Sequence, residues 1–520
     1  MSENINAASS RTENDALTRL TSGSKLVDMF DAMGGLRHDP QAIIGYFEDA
    51  WKEDKLISLK LMFLLRNPRG GMGERTLFKV LLAYLVNNPD PEKRQAVVSN
   101  MALLPELGRW DDLLTVFCFG NVPVSKGEDS PSKMAAKLLV GQLEQDALMV
   151  NDHPDQPVSL LAKWLPSENA SSKQSRQIAR KLMKAFGYDT HKYRQTLKSI
   201  RNHLGDGCVE VKMSEKRFSD IDYGKVCSKA GLTYRNAFQR QDETRYKKWL
   251  EDVSTGDAKV NVGALHPHEI TYKAAKALPD SDEAKALDNQ WNTLVEEGYV
   301  ESDEDIRALP VIDVSWSMKD SVGGNSKVEC IDVSTGLGLY MSASMSGPFK
   351  GHFLTFSETP TLEKMTGDNI VEITKNCLAS DWGGSTDLQA TFDLLIDTAR
   401  QKELMQEEMP THLYIVTDGE FDPADRHVHF GDGGSSNERT NYEAIKAKFA
   451  DAGYEMPVVV FWNVQKRQRN VAMSSNDFGM LVSGFSPTLL QAVAAAKEIT
   501  PYDCMIAAIG EGTVYDAVSL

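Results

Sequence analysis

The chain has 520 residues and is too long for a single hydrophobic core. Of these residues 41% are hydrophobic and 25% charged, a composition typical of globular proteins. No window of about 18 apolar residues occurs, and no N-terminal segment has the pattern of a secretory signal, so we expect a cytoplasmic protein without membrane contact. The formal net charge of -17 argues against duplex DNA as a partner.

The negative charge is unevenly distributed along the chain. Residues 1–300 contain 41 basic and 41 acidic residues, whereas residues 301–520 contain 16 and 33. Any binding to nucleic acid would therefore depend on a local basic surface. The six cysteines lie far apart without a C-x-x-C pair, so we expect them to be reduced and structural.

The first three-fifths of the chain have helical patterns. Residues 1–18 are polar and predict a disordered leader. From residue 19 to 275, apolar residues recur at helical spacing, as at Leu77, Val80, Leu81 and Tyr84, and short Gly- and Pro-containing breakers separate the runs. These features predict an α-helical repeat domain of the HEAT type, although no clean repeat period is present. Residues 276–305 predict a helical connector.

Residues 306–520 have a different pattern, in which apolar strand-like runs alternate with helix-like runs. The strand-like runs lie at 310–314, 351–356, 413–417 and 457–462, and the helix-like runs at 333–345, 386–400 and 442–452. This alternation is typical of βαβ units. The sequence thus predicts a multidomain protein with a C-terminal, doubly wound, Rossmann-like α/β domain built on a mainly parallel sheet.

Three polar segments follow strand-like runs of the α/β part. Asp313, Ser315 and Ser317 form a D-x-S-x-S loop, Thr386 lies in a Gly-Gly segment, and Asp418 follows a later strand. Ligands of open α/β sheets bind at the carboxyl ends of the strands, so these side chains should converge. Carboxylates and hydroxyls are hard oxygen ligands that suit Mg²⁺ or Mn²⁺. The alternative is that Asp313 caps a turn and Ser317 caps a helix.

This arrangement resembles the von Willebrand A domain with its metal-ion-dependent adhesion site. The resemblance implies that Ser315 and Ser317 bind the metal directly, that Thr386 does so directly or through water, and that Asp313 and Asp418 act mainly through water. It also implies an open coordination position for a partner's carboxylate or other anion.

No G-x-S-x-G elbow or paired Cys nucleophile occurs, so we expect a binding protein and not an enzyme.

A second resemblance is carried by six segments, 67–75, 265–270, 441–444, 452–457, 461–463 and 483–487. These segments resemble a largely uncharacterised family of plants, fungi and large phages. That family is similar in architecture to Ro (TROVE) ribonucleoproteins, in which a ring of helical repeats is closed by a von Willebrand A domain. The resemblance implies binding of small structured or misfolded RNA.

A local basic surface is predicted between Lys173 and Arg201. This stretch holds nine Lys or Arg residues and one acid, Asp189, and many of the cations share a helical face. Such a face could bind phosphates without reading sequence, or it could simply be solvated. The candidate RNA-binding residues are Lys173, Arg176, Arg180, Lys181, Lys184, Lys198 and Arg201.

A second, shorter basic cluster, Lys466, Arg467 and Arg469, follows the last predicted strand. It could contact an anionic ligand near the metal loops or neighbouring acids.

Taken together, the sequence predicts a Ro-like RNA-binding scaffold whose metal site docks an acidic partner or closes the helical ring. The alternative is a protein adaptor that recruits a partner carboxylate through the metal and binds no RNA.

Overall fold

A computed structural model of the chain describes residues 9–12, 15, 17–298, 307–323, 326–344, 349–356, 360–380, 387–419, 441–467, 469–486 and 500–520. The chain forms two compact units, and both are discontinuous in sequence. The sheet unit comprises residues up to 65, 70–77 and 265–513, and the helical unit comprises 66–69, 78–264 and 514–520.

The described residues contain helices along most of the chain and a sheet near its C-terminal end. The helices are α1 (Lys25–Met33), α2 (Ala42–Glu53), α3 (Lys55–Arg66), α4 (Thr76–Val86), α5 (Pro91–Ser99), α6 (Leu103–Leu107), α7 (Trp110–Phe119), α8 (Pro131–Asp152), α9 (Leu161–Trp164), α10 (Lys173–Phe186), α11 (Thr190–His203), α12 (Val209–Ser214), α13 (Ser228–Gln241), α14 (Glu243–Ser254), α15 (Pro267–Ala274), α16 (Asp282–Glu297), α17 (Cys330–Ser344), α18 (Ile370–Ala379), α19 (Leu388–Gln401), α20 (Asn441–Ala452) and α21 (Pro501–Ile509). The strands are β1 (Ser9–Arg11), β2 (Leu17–Arg19), β3 (Ala308–Asp313), β4 (His352–Phe356), β5 (Leu362–Lys364), β6 (His412–Thr417), β7 (Val458–Asn463) and β8 (Met480–Ser483).

The helical unit is built from amphipathic helices, which confirms the helical prediction for this part of the chain. Helix α10 buries Ala179, Leu182 and Phe186 on one side and is capped by the Ser172 hydroxyl. It ends at Gly187, whose φ of 64° is a left-handed conformation that favours glycine. None of the helices in the described part of the chain is long and apolar enough to span a membrane.

The sheet of the sheet unit has six strands in the order β5-β4-β3-β6-β7-β8. All neighbouring pairs are parallel except β4 and β5, which confirms a mainly parallel sheet. Every residue of β3, β6, β7 and β8 is buried, so both faces of these strands are covered. Strands β5 and β8 and helices α18 and α21 were not predicted from the sequence.

Helix α1 packs against the sheet of the same unit. The Gly34 amide donates to the Ser483 hydroxyl at 2.9 Å, and that hydroxyl donates to the Phe30 carbonyl. The buried Lys466 ammonium pairs with Asp31 of α1. The units therefore interleave in sequence, whereas the predicted helical domain, 19–275, is one continuous segment.

Residues near the N-terminus also differ from the predicted disordered leader. Strands β1 and β2 pair antiparallel, with Ser10 opposite Thr18. The Arg19 amide donates to the Val471 carbonyl at 3.2 Å, and the Val471 amide donates to the Arg19 carbonyl at 2.8 Å. These backbone hydrogen bonds attach the segment to the sheet unit, and sequence periodicity gives no sign of partners so far along the chain. Residues 1–8 lie outside the described residues.

Helices α15 and α17 approach each other closely at Gly336. A Cβ atom at Gly336 of α17 would lie 2.5 Å from the His268 Cα atom of α15. Gly336→Ala should therefore destabilise the protein by about 2 kcal/mol, because backbone atoms must move apart. Gly141 of α8 is the matched control, because a Cβ atom added there would meet no described side chain or neighbouring element within 4 Å.

Gly141→Ala should stabilise by about 0.5–1 kcal/mol, since alanine has the higher helix propensity. Urea-unfolding midpoints of the two variants test the pair of expectations. Equal stabilisation in both variants would contradict the close approach of α15 and α17.

Candidate functional sites

The two carboxylates of the predicted metal site lie at the same edge of the sheet. Asp313 is the last residue of β3, and Asp418 directly follows β6. These strands are parallel neighbours with Ile312 opposite Val416. The structure thus brings together Asp313, Asp418 and the loop that carries Ser315 and Ser317.

Asp313 is fully buried and fixes the start of this loop. Its carboxylate accepts the Ser315 amide at 2.9 Å and the Thr417 hydroxyl at 2.6 Å. The first bond is the turn cap considered as the alternative in the sequence analysis, and it is compatible with a metal-binding role. The short 3-10 helix Trp316–Lys319 has no side-chain cap, so the predicted helix cap by Ser317 is not present there.

The two serine hydroxyls have a spacing that fits one magnesium ion. The Ser315 and Ser317 Oγ atoms are 3.0 Å apart. Neighbouring ligands of an octahedral ion with bonds of about 2.0–2.1 Å lie roughly 3 Å apart. Ser315 is buried and Ser317 half-buried, so this pair is held within the fold and not displayed on a free loop.

Charge repulsion inside the site also favours a cation. Burial, and then the negative charge of Asp418, raise the pKa of Asp313 from 3.8 to about 7. Asp418 is itself buried and is contacted by the Arg467 guanidinium at 3.1 Å. An oxygen-rich site with two buried acids fits a hard divalent cation.

The remaining predicted metal ligand, Thr386, lies outside the described residues. Its neighbour Asp387 accepts the Ala390 amide at 3.0 Å and caps α19. Within the described ranges, no group of three or more His, Cys, Asp or Glu residues could hold a metal. The candidate site therefore consists of two carboxylates together with hydroxyls.

The short basic cluster contacts neighbouring acids, which was one of its two predicted alternatives. Lys466 pairs with Asp31, and the Arg469 guanidinium lies 3.7 Å from Asp49. Arg467 contacts Asp320 at 3.2 Å in addition to Asp418. Arg467 is the member that reaches the candidate metal site.

The basic helical face lies on α10 and α11 of the helical unit. Five of its seven predicted residues are exposed, and none of the five forms an ion pair with another described residue. They are Lys173, Arg180, Lys181, Lys184 and Lys198. Because α-helices turn about 100° per residue, the α10 cations 173, 180 and 184 lie on one stripe.

The other two predicted RNA-binding residues are used by the fold. Arg176 donates to the carbonyls of Ala170 and Ser171 at 2.6 and 2.7 Å. Arg201 donates to the carbonyls of Ala162 and Leu165, and burial lowers the pKa of its guanidinium. Both guanidinium groups donate to backbone carbonyls of earlier segments of the chain, so they are poorly placed to bind phosphate.

Comparison with known families gives matches over most of the chain. Residues 307–505 match a domain of unknown function, DUF7788. Residues 12–119 and 133–299, more than half of the chain, match a second domain of unknown function, DUF2828. The chain belongs to the DUF2828 family.

Two known proteins are similar to this DUF2828-family chain. An uncharacterised protein of Acanthamoeba polyphaga mimivirus, L728, is 30% identical over 522 residues, with 95% of this chain and 86% of that protein covered. The crystal structure of the Deinococcus radiodurans Ro (RSR) protein is 14% identical with a TM-score of 0.48, and the match covers 92% of this chain and 100% of that chain.

One prominent residue of the candidate metal site was not singled out from the sequence. Trp316, between the two serines of the loop, is 70% exposed. The Lys319 ammonium lies 3.9 Å from the centre of its ring. The sequence contained a signal, because a large aromatic residue inside a polar loop has no obvious core to fill. Trp316 and Lys319 form an apolar and cationic rim beside the buried oxygens.

Proposed function

We propose that the chain is a non-enzymatic RNA-binding scaffold in which the basic face of α10 and α11 binds phosphates. The observation that carries this proposal is the set of five exposed cations without ion-pair partners among the described residues. Exposed Lys and Arg side chains bind phosphate mainly by charge and therefore recognise RNA without reading its sequence. The Ro-like architecture implied by the sequence motifs agrees with this role.

Direct binding tests the proposal. The purified chain is titrated into a fluorescently labelled structured RNA with a single-stranded 3′ end, in Mg²⁺ and at increasing salt. We expect binding whose affinity falls steeply with salt, because phosphate contacts release counterions. The absence of binding at low salt would contradict the RNA-binding proposal.

The second part of the proposal is a von Willebrand A-like metal site for Mg²⁺ or Mn²⁺. Ser315 and Ser317 would hold the ion, Asp313 and Asp418 would supply its negative surroundings, and Thr386 remains a predicted ligand. The bound ion would offer an open position to an anionic group of an acidic partner. Asp313 holds Ser315 through its amide and is itself fixed by the Thr417 hydroxyl.

A protein adaptor is the second candidate function, and Trp316 is the observation that favours it. A tryptophan that is 70% exposed beside a metal loop is typical of an anchor residue in a protein interface. Partner capture should then require Mg²⁺ and should be lost in Ser315→Ala while circular dichroism shows a retained fold. Capture that persists both in EDTA and in this variant would contradict metal-dependent docking.

A further inference from the structure

Arg467 lies directly against the candidate metal site. Its guanidinium contacts Asp418 at 3.1 Å and Asp320 at 3.2 Å, and it donates to the Ser317 carbonyl. The Arg467 side chain is only 15% exposed. We propose that Arg467 is an internal counter-cation that competes with the divalent metal for the acidic site. This inference rests on the metal site proposed above.

The fold holds Arg467 in this position through both of its preceding neighbours. The Lys466 amide donates to the Gly35 carbonyl at 2.9 Å, and its ammonium is buried against Asp31. The Gln465 side chain accepts from Arg467 Nε and donates to the Ser321 carbonyl, each at 3.2 Å. Arg467 is therefore placed by the segment after β7 and does not reach the site as a free surface side chain.

The position of this charge determines its effect on metal affinity. Asp313 and Asp418 are both buried, and the Arg467 guanidinium contacts Asp418. Its positive charge offsets the repulsion between the acids when no metal is bound. The same charge repels an incoming divalent cation, since charges interact strongly where water is largely excluded. Loss of Arg467 should thus tighten metal binding and make folding more dependent on the metal.

Arg467→Gln removes the charge while keeping a polar side chain, and Arg467→Lys keeps the charge with fewer donors. We expect Arg467→Gln to bind Mg²⁺ at least tenfold more tightly than the wild-type chain, measured by isothermal titration calorimetry and by electron paramagnetic resonance with Mn²⁺. We expect Arg467→Lys to show a smaller change. Arg469→Gln is the matched control, because Arg469 is 59% exposed and contacts Asp49 outside the site.

Thermal unfolding provides a readout independent of affinity. In EDTA, Arg467→Gln should melt at a lower temperature than the wild-type chain, and saturating Mg²⁺ should raise its melting temperature more than that of the wild type. Unchanged or weaker Mg²⁺ binding in Arg467→Gln would overturn the competition proposal while leaving the metal site in place. If neither chain binds Mg²⁺ or Mn²⁺, both the metal site and the competition are overturned.

Discussion

Asp313→Asn should abolish Mg²⁺ binding and, in EDTA at pH 8, should raise the melting temperature of the protein by roughly 5 °C. The side chain is fully buried, and its pKa is raised to about 7, first by burial and then by the charge of Asp418. Above that pH the wild-type chain must hold a second negative charge in the site. Asparagine has nearly the same shape and carries no charge. The Thr417 hydroxyl, which now donates to Asp313, can accept from the amide instead.

The direction of the pH dependence follows from the two pKa values. The pKa of Asp313 is about 7 in the folded chain and 3.8 as the ordinary value, so the folded state binds the proton more strongly. Protonation of Asp313 therefore stabilises the folded state, and this contribution is complete below about pH 4 and is lost as the pH rises through about 7. Metal-free wild-type protein should lose stability over this window, and Asp313→Asn should lose less.

Melting temperatures measured from pH 4 to pH 8 in EDTA check this expectation. Asp397→Asn is the control, because Asp397 is exposed on α19 of the same unit. Parallel pH profiles for the wild-type chain and Asp313→Asn would show that Asp313 does not ionise in this window. Retained Mg²⁺ binding in Asp313→Asn would show that the predicted metal site is misassigned.

The local elements of the sheet unit could be predicted because their signals are short-range. The runs that predict β3, β6 and β7 are continuous apolar stretches, and the structure buries every residue in them. The parallel pairing of β3 and β6 then places Asp313 and Asp418 at the same edge of the sheet. Strand β5 is short and partly exposed, so it carries little apolar pattern.

The features that could not be predicted depend on contacts between distant residues. Gly34 and Ser483 are 449 residues apart in sequence, yet their hydrogen bond joins α1 to β8. No periodicity distinguishes α1 from the helices that build the helical unit. The same limit applies to Arg467, whose carboxylate partners lie on two other loops. Its position after the last predicted strand placed it near the metal loops, but only the fold assigned its partners.

Arg201 illustrates the same limit for the basic face. In the sequence it has the same helical spacing as the exposed cations of α10 and α11. In the structure its guanidinium donates to the carbonyls of Ala162 in α9 and of Leu165 directly after it. A pattern of charges therefore locates a basic face, but the hydrogen bonds decide which of its members remain available for phosphate.

Neutralising three exposed cations of the basic face on α10 should cause a large loss of RNA affinity. The triple variant Arg180→Gln, Lys181→Gln and Lys184→Gln removes charges that have no ion-pair partner among the described residues. If each cation neutralises one phosphate, the slope of log affinity against log salt should fall by about 2, and affinity near 0.1 M salt should fall roughly 100-fold. Fluorescence anisotropy over a salt series measures both quantities.

The matched control is Lys133→Gln with Lys137→Gln on α8 of the same unit. These exposed lysines already pair with Asp129, at 3.5 and 2.8 Å, so they have less charge to offer a phosphate. We expect the control to reduce the salt slope by less than the triple variant. Equal losses in the two variants would mean that RNA responds only to the net charge of the unit. A triple variant with unchanged affinity and slope would exclude the α10 face as the RNA site, leaving the metal loop with Trp316 as the surface to test for a protein partner.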